Sequence, residues 1–169
     1  MKKRLANIIT AGRLLLSLSL LFLPALSAPF NIIYLLCGVG DMVDGPIARR
    51  TGSVSQSGAR LDSAADFIFV VICLVKLLPA LRPGPWIWIC AAVTALVRLT
   101  NLISGLVCRG RLIMLHTAAN KIAGLLLFLL PPAAQLIGLD LAAIPVCAAS
   151  IFASVQEGHF IRTGRITEN

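Results

Sequence analysis

Charge is what this sequence has least of. Only 13% of its 169 residues are charged while 58% are hydrophobic, and the mean hydropathy is +0.91. A soluble domain carries about a quarter charged residues, so an ordinary water-soluble globule is excluded and the apolar excess requires lipid. No charge at all occurs between Arg13 and Asp41, between Arg82 and Arg98, or between Lys121 and Asp140. Paired cysteines are also missing. Cys37, Cys73, Cys90, Cys108 and Cys147 are scattered with no CxxC among them, which leaves a thiolate metal centre or a disulfide framework without support. They read as small apolar fillers. A long linker, a low-complexity tract and an internal repeat are likewise absent, so the chain reads as a single domain over residues 1–169.

What is present are apolar segments of membrane length. A helix needs about 20 mostly apolar residues to cross the hydrocarbon core. Six such segments can be placed, at Thr10–Leu23, Pro29–Ala48, Gly58–Leu78, Pro85–Leu106, Leu112–Leu130 and Ile137–Gln156. The expected fold is therefore an all-α integral membrane protein. Pro24, Pro29, Pro79, Pro83, Pro85, Pro131 and Pro132 are expected between spans or at their edges, where a missing N–H costs least. Lys2, Lys3 and Arg4, followed by Leu14–Leu23 and Ala25-Leu26-Ser27, could pass for a secretory leader. Arg13 interrupts that apolar core, and a second membrane segment follows instead of a secreted domain, so the stretch reads as the first span.

The formal charge of +8 invites a nucleic-acid reading, which its distribution does not support. Basic residues gather at Lys2, Lys3 and Arg4, at Arg49, Arg50 and Arg60, at Arg109 and Arg111, and at Arg162 and Arg165. With six spans all four groups fall on one face, and only Lys76 and Arg82 fall opposite. The positive-inside bias puts the four groups in the cytoplasm of a cell membrane, beside anionic headgroups.

Acidic residues number seven, and four of them are Asp41, Asp44, Asp62 and Asp66. Spacings of three and four place each pair on one helical face. The second and third spans, joined by the polar stretch Thr51–Ser57, should be antiparallel neighbours with the four carboxylates facing one another at headgroup depth. An intramembrane acid is costly, and four together repel unless something positive sits among them. An all-oxygen set suits Mg²⁺ or Mn²⁺, and two such ions could clamp a pyrophosphate. One Asp pair alone would read as ordinary helix-end polarity; four, flanked by glycines, read as functional.

The run Asp41-Met-Val-Asp44-Gly45-Pro-Ile-Ala48-Arg49, then Gly58-Ala-Arg-Leu-Asp62-Ser-Ala-Ala-Asp66, resembles the CDP-alcohol phosphatidyltransferase signature D-x2-D-G-x2-A-R-x8-G-x3-D-x3-D at every fixed position. The resemblance implies that Asp41, Asp44 and Asp62 ligand the metals, and that Asp66 completes the site and acts as general base. It implies too that Gly45, Ala48 and Gly58 keep the helix surfaces low for the cytidine nucleotide. Arg49 would neutralise the diphosphate of the CDP-lipid, while Arg50 reads as a topology anchor. The implied donor is CDP-diacylglycerol, the implied acceptor a small alcohol, and the implied assembly a homodimer.

The acceptor is less sharply marked. Asn7-Ile-Ile-Thr10-Ala-Gly-Arg13 is similar to the N-x-L-T-x-x-R opening of phosphatidylglycerophosphate synthases, with Ile9 at the Leu position. His116-Thr117-Ala-Ala-Asn120 resembles their K-T-x-x-Q element, with His116 for Lys and Asn120 for Gln. Thr117, Asn120 and Lys121 are expected on one helical face, with Lys121 well inside a span, where a cation wants an anionic partner. A phosphate on the acceptor would serve, assisted by Arg98 and Arg111; Lys121 pairing with a motif carboxylate is the alternative. Three functions remain open: transfer to glycerol 3-phosphate, the same transfer to an inositol phosphate, serine or another polyol, and a divalent-cation carrier. A carrier would spread its ligands over broken helices near the midplane, unlike this cytoplasmic-edge cluster.

Overall fold

The computed structural model describes residues 12–51, 56–109 and 117–163, and for 41–51, 56–62 and 108–109 the course of the main chain alone. Among the described residues there are six helices and no strand: α1 (residues 12–19), α2 (Ala28–Thr51), α3 (Gln56–Leu81), α4 (Pro85–Arg109), α5 (Ala118–Ile137) and α6 (Leu139–Thr163). Among the described residues, four stretches are long and apolar enough to cross a membrane: Ser63–Leu81, Pro85–Val107, Ala118–Ile137 and Leu139–Thr163. α2 adds the apolar stretch Ala28–Gly40. Phe22, Phe67, Val107 and Leu136 are all more than two-thirds exposed. Water would not tolerate so much outward apolar surface; lipid does, and the chain is an all-helical, multi-pass membrane protein.

The chain divides into two compact units, Met1–Arg82 and Pro83–Asn169. In the first, the main chain leaves α1 through i→i+3 bonds from Leu20, Leu21 and Phe22 to Ser17, Leu18 and Ser19, a tightened last turn. It reverses with Leu26 at φ 64. Ser27 then opens α2: its hydroxyl accepts from the Phe30 N–H at 3.3 Å, satisfying one of the orphan donors of the first turn. Contacts fix the helix directions. Ser17 and Cys37 meet at 3.8 Å, and a methyl built on Gly40 would lie 3.9 Å from Arg13 Cδ, so α1 and α2 are antiparallel. Arg13 bonds Asp66 at 2.7 Å and Lys76 donates to the Leu21 carbonyl at 3.0 Å, so α1 and α3 are parallel. α2 and α3 are therefore antiparallel, and Tyr34 stacks on Phe69 with ring centroids 5.6 Å apart. Leu20 and Phe30 are fully buried at the centre.

The second unit repeats the up-down-up pattern. Trp86 Nε1 donates to Asp140 at 2.8 Å and Asn101 Nδ2 to the Ser154 carbonyl at 2.7 Å, so α4 and α6 run parallel. A single residue, Gly138, separates α5 from α6. Its φ of 85 and ψ of 151 lie where glycine alone rests without strain. Its N–H closes α5 on Ala134 and its carbonyl accepts the Ala142 N–H of α6. The buried face of α6 is Ala142, Ala143, Val146, Ala153, Ser154, Gly158 and Ile161. Five of these seven are Gly, Ala or Ser, and side chains that small let neighbouring backbones approach closely, which is how helices associate without a hydrophobic drive between them.

Three expectations need correction. Pro131 and Pro132 lie inside α5, not between spans or at their edges, whereas Pro79 is at the edge of α3, two residues before its end. Within a bilayer, neighbouring helices and local adjustments can satisfy the carbonyls a proline frees, and Pro131 is itself buried. The fifth helix begins at Ala118, not near Leu112, because Thr117 caps it. Lys121 therefore sits in the first turn and is exposed, not deep in a span.

Candidate active site

The signature occupies two helices. Asp41, Asp44, Gly45, Ala48 and Arg49 all fall within α2, which stays helical through Thr51; Gly58, Asp62 and Asp66 fall within α3. Helical register puts positions 41, 44, 45 and 48 on one face of α2 and positions 58, 62 and 66 along α3. Apart from Asp66, the side chains of these residues lie outside the described ones.

Asp66 shows how the two halves are held. Its Oδ1 accepts from Arg13 Nη2 at 2.7 Å. The guanidinium side is only 7% exposed, the carboxylate 46%, so the cation is sunk in the bundle while the acid still faces outward. The aliphatic stem of Arg13 runs past Gly40, the residue before Asp41. Arg13 thus bonds α3 at Asp66 and lies near α2 at Gly40. Within α1, Ser17, 1% exposed, donates to the Arg13 carbonyl at 2.8 Å. Among the described residues no group of three His, Cys, Asp or Glu forms a metal cluster; Asp41, Asp44 and Asp62 stand outside that set.

In the second unit the cations expected at an acceptor site are partly organised. Arg98 of α4 donates from Nε to Ser154 Oγ of α6 at 3.2 Å and from Nη2 to Asn120 Oδ1 of α5 at 3.3 Å. Asn120 is therefore neighbour to Arg98, and Lys121 follows it. Thr117 does something more local: its hydroxyl accepts the Asn120 N–H at 3.2 Å as the N-cap of α5. Arg111 lies outside the described residues.

A family model described as CDP-alcohol phosphatidyltransferase matches residues 3–156. The chain belongs to the CDP-alcohol phosphatidyltransferase family. A curated relative, the CDP-diacylglycerol--glycerol-3-phosphate 3-phosphatidyltransferase of Haemophilus influenzae, is 41% identical over 56 residues, covering 32% of this chain and 30% of the relative. The matched region thus spans less than a third of that relative's length. No solved structure matches the chain.

Within this member of the family, two arrangements escaped sequence reasoning. Arg13 is recognisable as part of an opening motif and as the lone cation before a charge-free run, yet nothing in its spacing assigns it to Asp66, 53 positions away. Asn101 and Ser154 form a buried polar link between α4 and α6, with exposures of 4% and 0%. The available signal was an Asn inside an apolar span, where a polar side chain needs a partner.

Proposed function

We propose that this protein moves a phosphatidyl group from CDP-diacylglycerol to the hydroxyl of a small alcohol and releases CMP, with glycerol 3-phosphate the favoured acceptor. The observation that carries the reading is the complete acidic signature set on antiparallel neighbours α2 and α3, inside a chain of this family. The acceptor hydroxyl gives its proton to Asp66, its oxygen attacks the lipid-side phosphorus, and the bond from that phosphorus to the CMP oxygen breaks. A positioned base of this type is worth about 10²–10⁴-fold; the remainder comes from alignment and charge stabilisation.

Asp41, Asp44, Asp62 and Asp66 form a hard, all-oxygen donor set that fits Mg²⁺ or Mn²⁺, two of which would neutralise the pyrophosphate and the departing CMP. Gly45, Ala48 and Gly58 keep the two helices low where the nucleotide lies, and Arg49 binds its diphosphate. Arg98, Arg111, Asn120 and Lys121 are the proposed acceptor phosphate ligands; Thr117 contributes by capping the turn that carries Asn120 and Lys121. The matching name of the Haemophilus influenzae relative and the Asn7–Arg13 opening support glycerol 3-phosphate over inositol phosphate, serine or other polyols. The site faces the cytoplasm of the cell membrane, and the protein works as a homodimer in this reading.

The test is CMP release by purified protein from CDP-diacylglycerol, with a panel of acceptors and analysis of the lipid formed. Release dependent on glycerol 3-phosphate, with phosphatidylglycerophosphate as product, is expected. Preference for serine or free glycerol over every phosphorylated acceptor would remove the phosphate site and the glycerol 3-phosphate assignment together.

A further inference from the structure

We propose that Ser154 is a positioning residue for the acceptor: its hydroxyl fixes the Arg98 guanidinium so that the end of the fork is presented to the acceptor's phosphate. The inference rests on the reading of Arg98 as a phosphate ligand given above.

Arg98 puts a charge where charge is costly. It lies within the apolar stretch Pro85–Val107 of α4, and a cation inside such a stretch calls for an anionic partner. The partners it has are neutral: Nε donates to Ser154 Oγ at 3.2 Å and Nη2 to Asn120 Oδ1 at 3.3 Å. Among the described residues no carboxylate pairs with it. A hydroxyl and a carboxamide orient a guanidinium but leave its charge uncompensated. The side chain belongs to an exposed residue, so an incoming oxyanion can reach it.

The bonded atoms tell which edge is held. A guanidinium is planar and carries its N–H donors in a fixed fork. Nε and Nη2 share one edge, and that edge is bonded to α6 and α5. The end of the fork, Nη1 with the second N–H of Nη2, makes no bond among the described residues. Two parallel donors there match two phosphate oxygens. Ser154 can hold the other edge because it is itself fixed. It is 0% exposed, and its hydroxyl proton goes to the Ser150 carbonyl at 2.8 Å, which leaves the oxygen to accept from Arg98. Its carbonyl takes the Asn101 Nδ2 bond at 2.7 Å. Arg98 and Asn101 are three apart on one face of α4, so a single residue of α6 engages that face twice, once by side chain and once by backbone.

Steady-state CMP release tests the proposal, with kcat, both KM values and thermal stability in detergent measured for each variant. Ser154→Ala removes the hydroxyl and keeps the carbonyl that Asn101 bonds, so the backbone link between α4 and α6 survives. It is expected to raise the glycerol 3-phosphate KM by about 5- to 30-fold, while kcat and the CDP-diacylglycerol KM move less than about threefold. In an Arg98→Met background, Ser154→Ala should cost nothing further in kcat/KM for the acceptor. Equal losses in the two backgrounds would overturn the proposal. So would a fall in kcat and stability with both KM values unchanged, the mark of a packing role. A rise confined to the CDP-diacylglycerol KM would put a lipid phosphate on Arg98 and overturn it too. If Ser154→Ala does not accumulate in folded form, Ser154→Cys, whose sulfur is a weak acceptor, completes the same cycle. Should Arg98→Met leave the acceptor KM of an active enzyme unchanged, the reading of Arg98 as a ligand fails and takes this inference with it. Should Arg98→Met raise that KM and Ser154→Ala not, the role of Ser154 alone fails. A wild-type protein that releases no CMP with any acceptor defeats the transferase reading and this inference together.

Discussion

Replacing Gly158 with alanine adds one methyl to the buried face of α6, and the structure fixes what that methyl meets. A Cβ there would overlap Asn101 Oδ1 and approach Asn101 Cγ at 3.1 Å and Nδ2 at 3.3 Å. Asn101 is 4% exposed and its Nδ2 donates to the Ser154 carbonyl at 2.7 Å. The carboxamide can escape only by turning away from Ser154 or by pushing α4 off α6. Overpacking a well-filled interior costs about 1–3 kcal/mol, and an interhelical hydrogen bond in a membrane protein is worth about 0.6–2 kcal/mol. Because relief of the clash and loss of the bond are the same motion, the two do not simply add, and a destabilisation of about 1–3 kcal/mol is expected. Reversible unfolding in mixed detergent gives the value for Gly158→Ala, Asn101→Ala and the double variant. With Asn101 truncated to a methyl there is nothing left to overlap, so Gly158→Ala should then be nearly neutral. A loss just as large in the Asn101→Ala background would show that Gly158 is kept small for another neighbour, and the reasoning would fail.

Other outcomes follow from the site. Asp41→Asn, Asp44→Asn and Asp62→Asn should each remove most CMP release and weaken its dependence on Mg²⁺ or Mn²⁺; near-normal turnover by any of them, at normal expression, would exclude that residue as a ligand. Lys121→Met should raise the KM for glycerol 3-phosphate strongly and leave that for CDP-diacylglycerol nearly unchanged, whereas equal changes in both would argue against acceptor binding. On a cysteine-free background, Ser53→Cys should resist an impermeant thiol reagent added from outside and Ala80→Cys should react; the opposite pattern would invert the proposed orientation.

The sequence made the helical membrane fold legible because hydrocarbon imposes a length and a composition on whatever crosses it. It made the acidic signature legible because four carboxylates at helical spacing are too costly in an apolar chain unless they hold something positive. Helix ends were harder. Leu112 to His116 are apolar enough to extend a span on composition, but Thr117 caps the helix and moves Lys121 into its first turn. Two prolines misled for a related reason: Pro131 and Pro132 would break a helix in water, where the freed carbonyls have no fixed partner, and are accommodated in a packed bundle. Arg13, Asn101 and Ser154 could be noticed singly, as polar groups in apolar runs. Their partners lie 53 residues away in each case, and no local periodicity encodes a contact across that separation.

The Gly138 junction has a bearing on how the molecule sits across its bilayer. Charge bias is a statistical guide to sidedness and individual proteins depart from it. A one-residue connection between two helices of membrane length leaves no such latitude: the second must return the way the first came. Thr117 and Thr163 thus emerge on the same leaflet whichever leaflet that is, and the parallel course of α4 puts Arg109 with them. Trp86 and Asp140, joined by their hydrogen bond, mark the other leaflet. For the C-terminal half, orientation therefore reduces to a single binary choice, and one accessible label at any of these positions reads out all three helices.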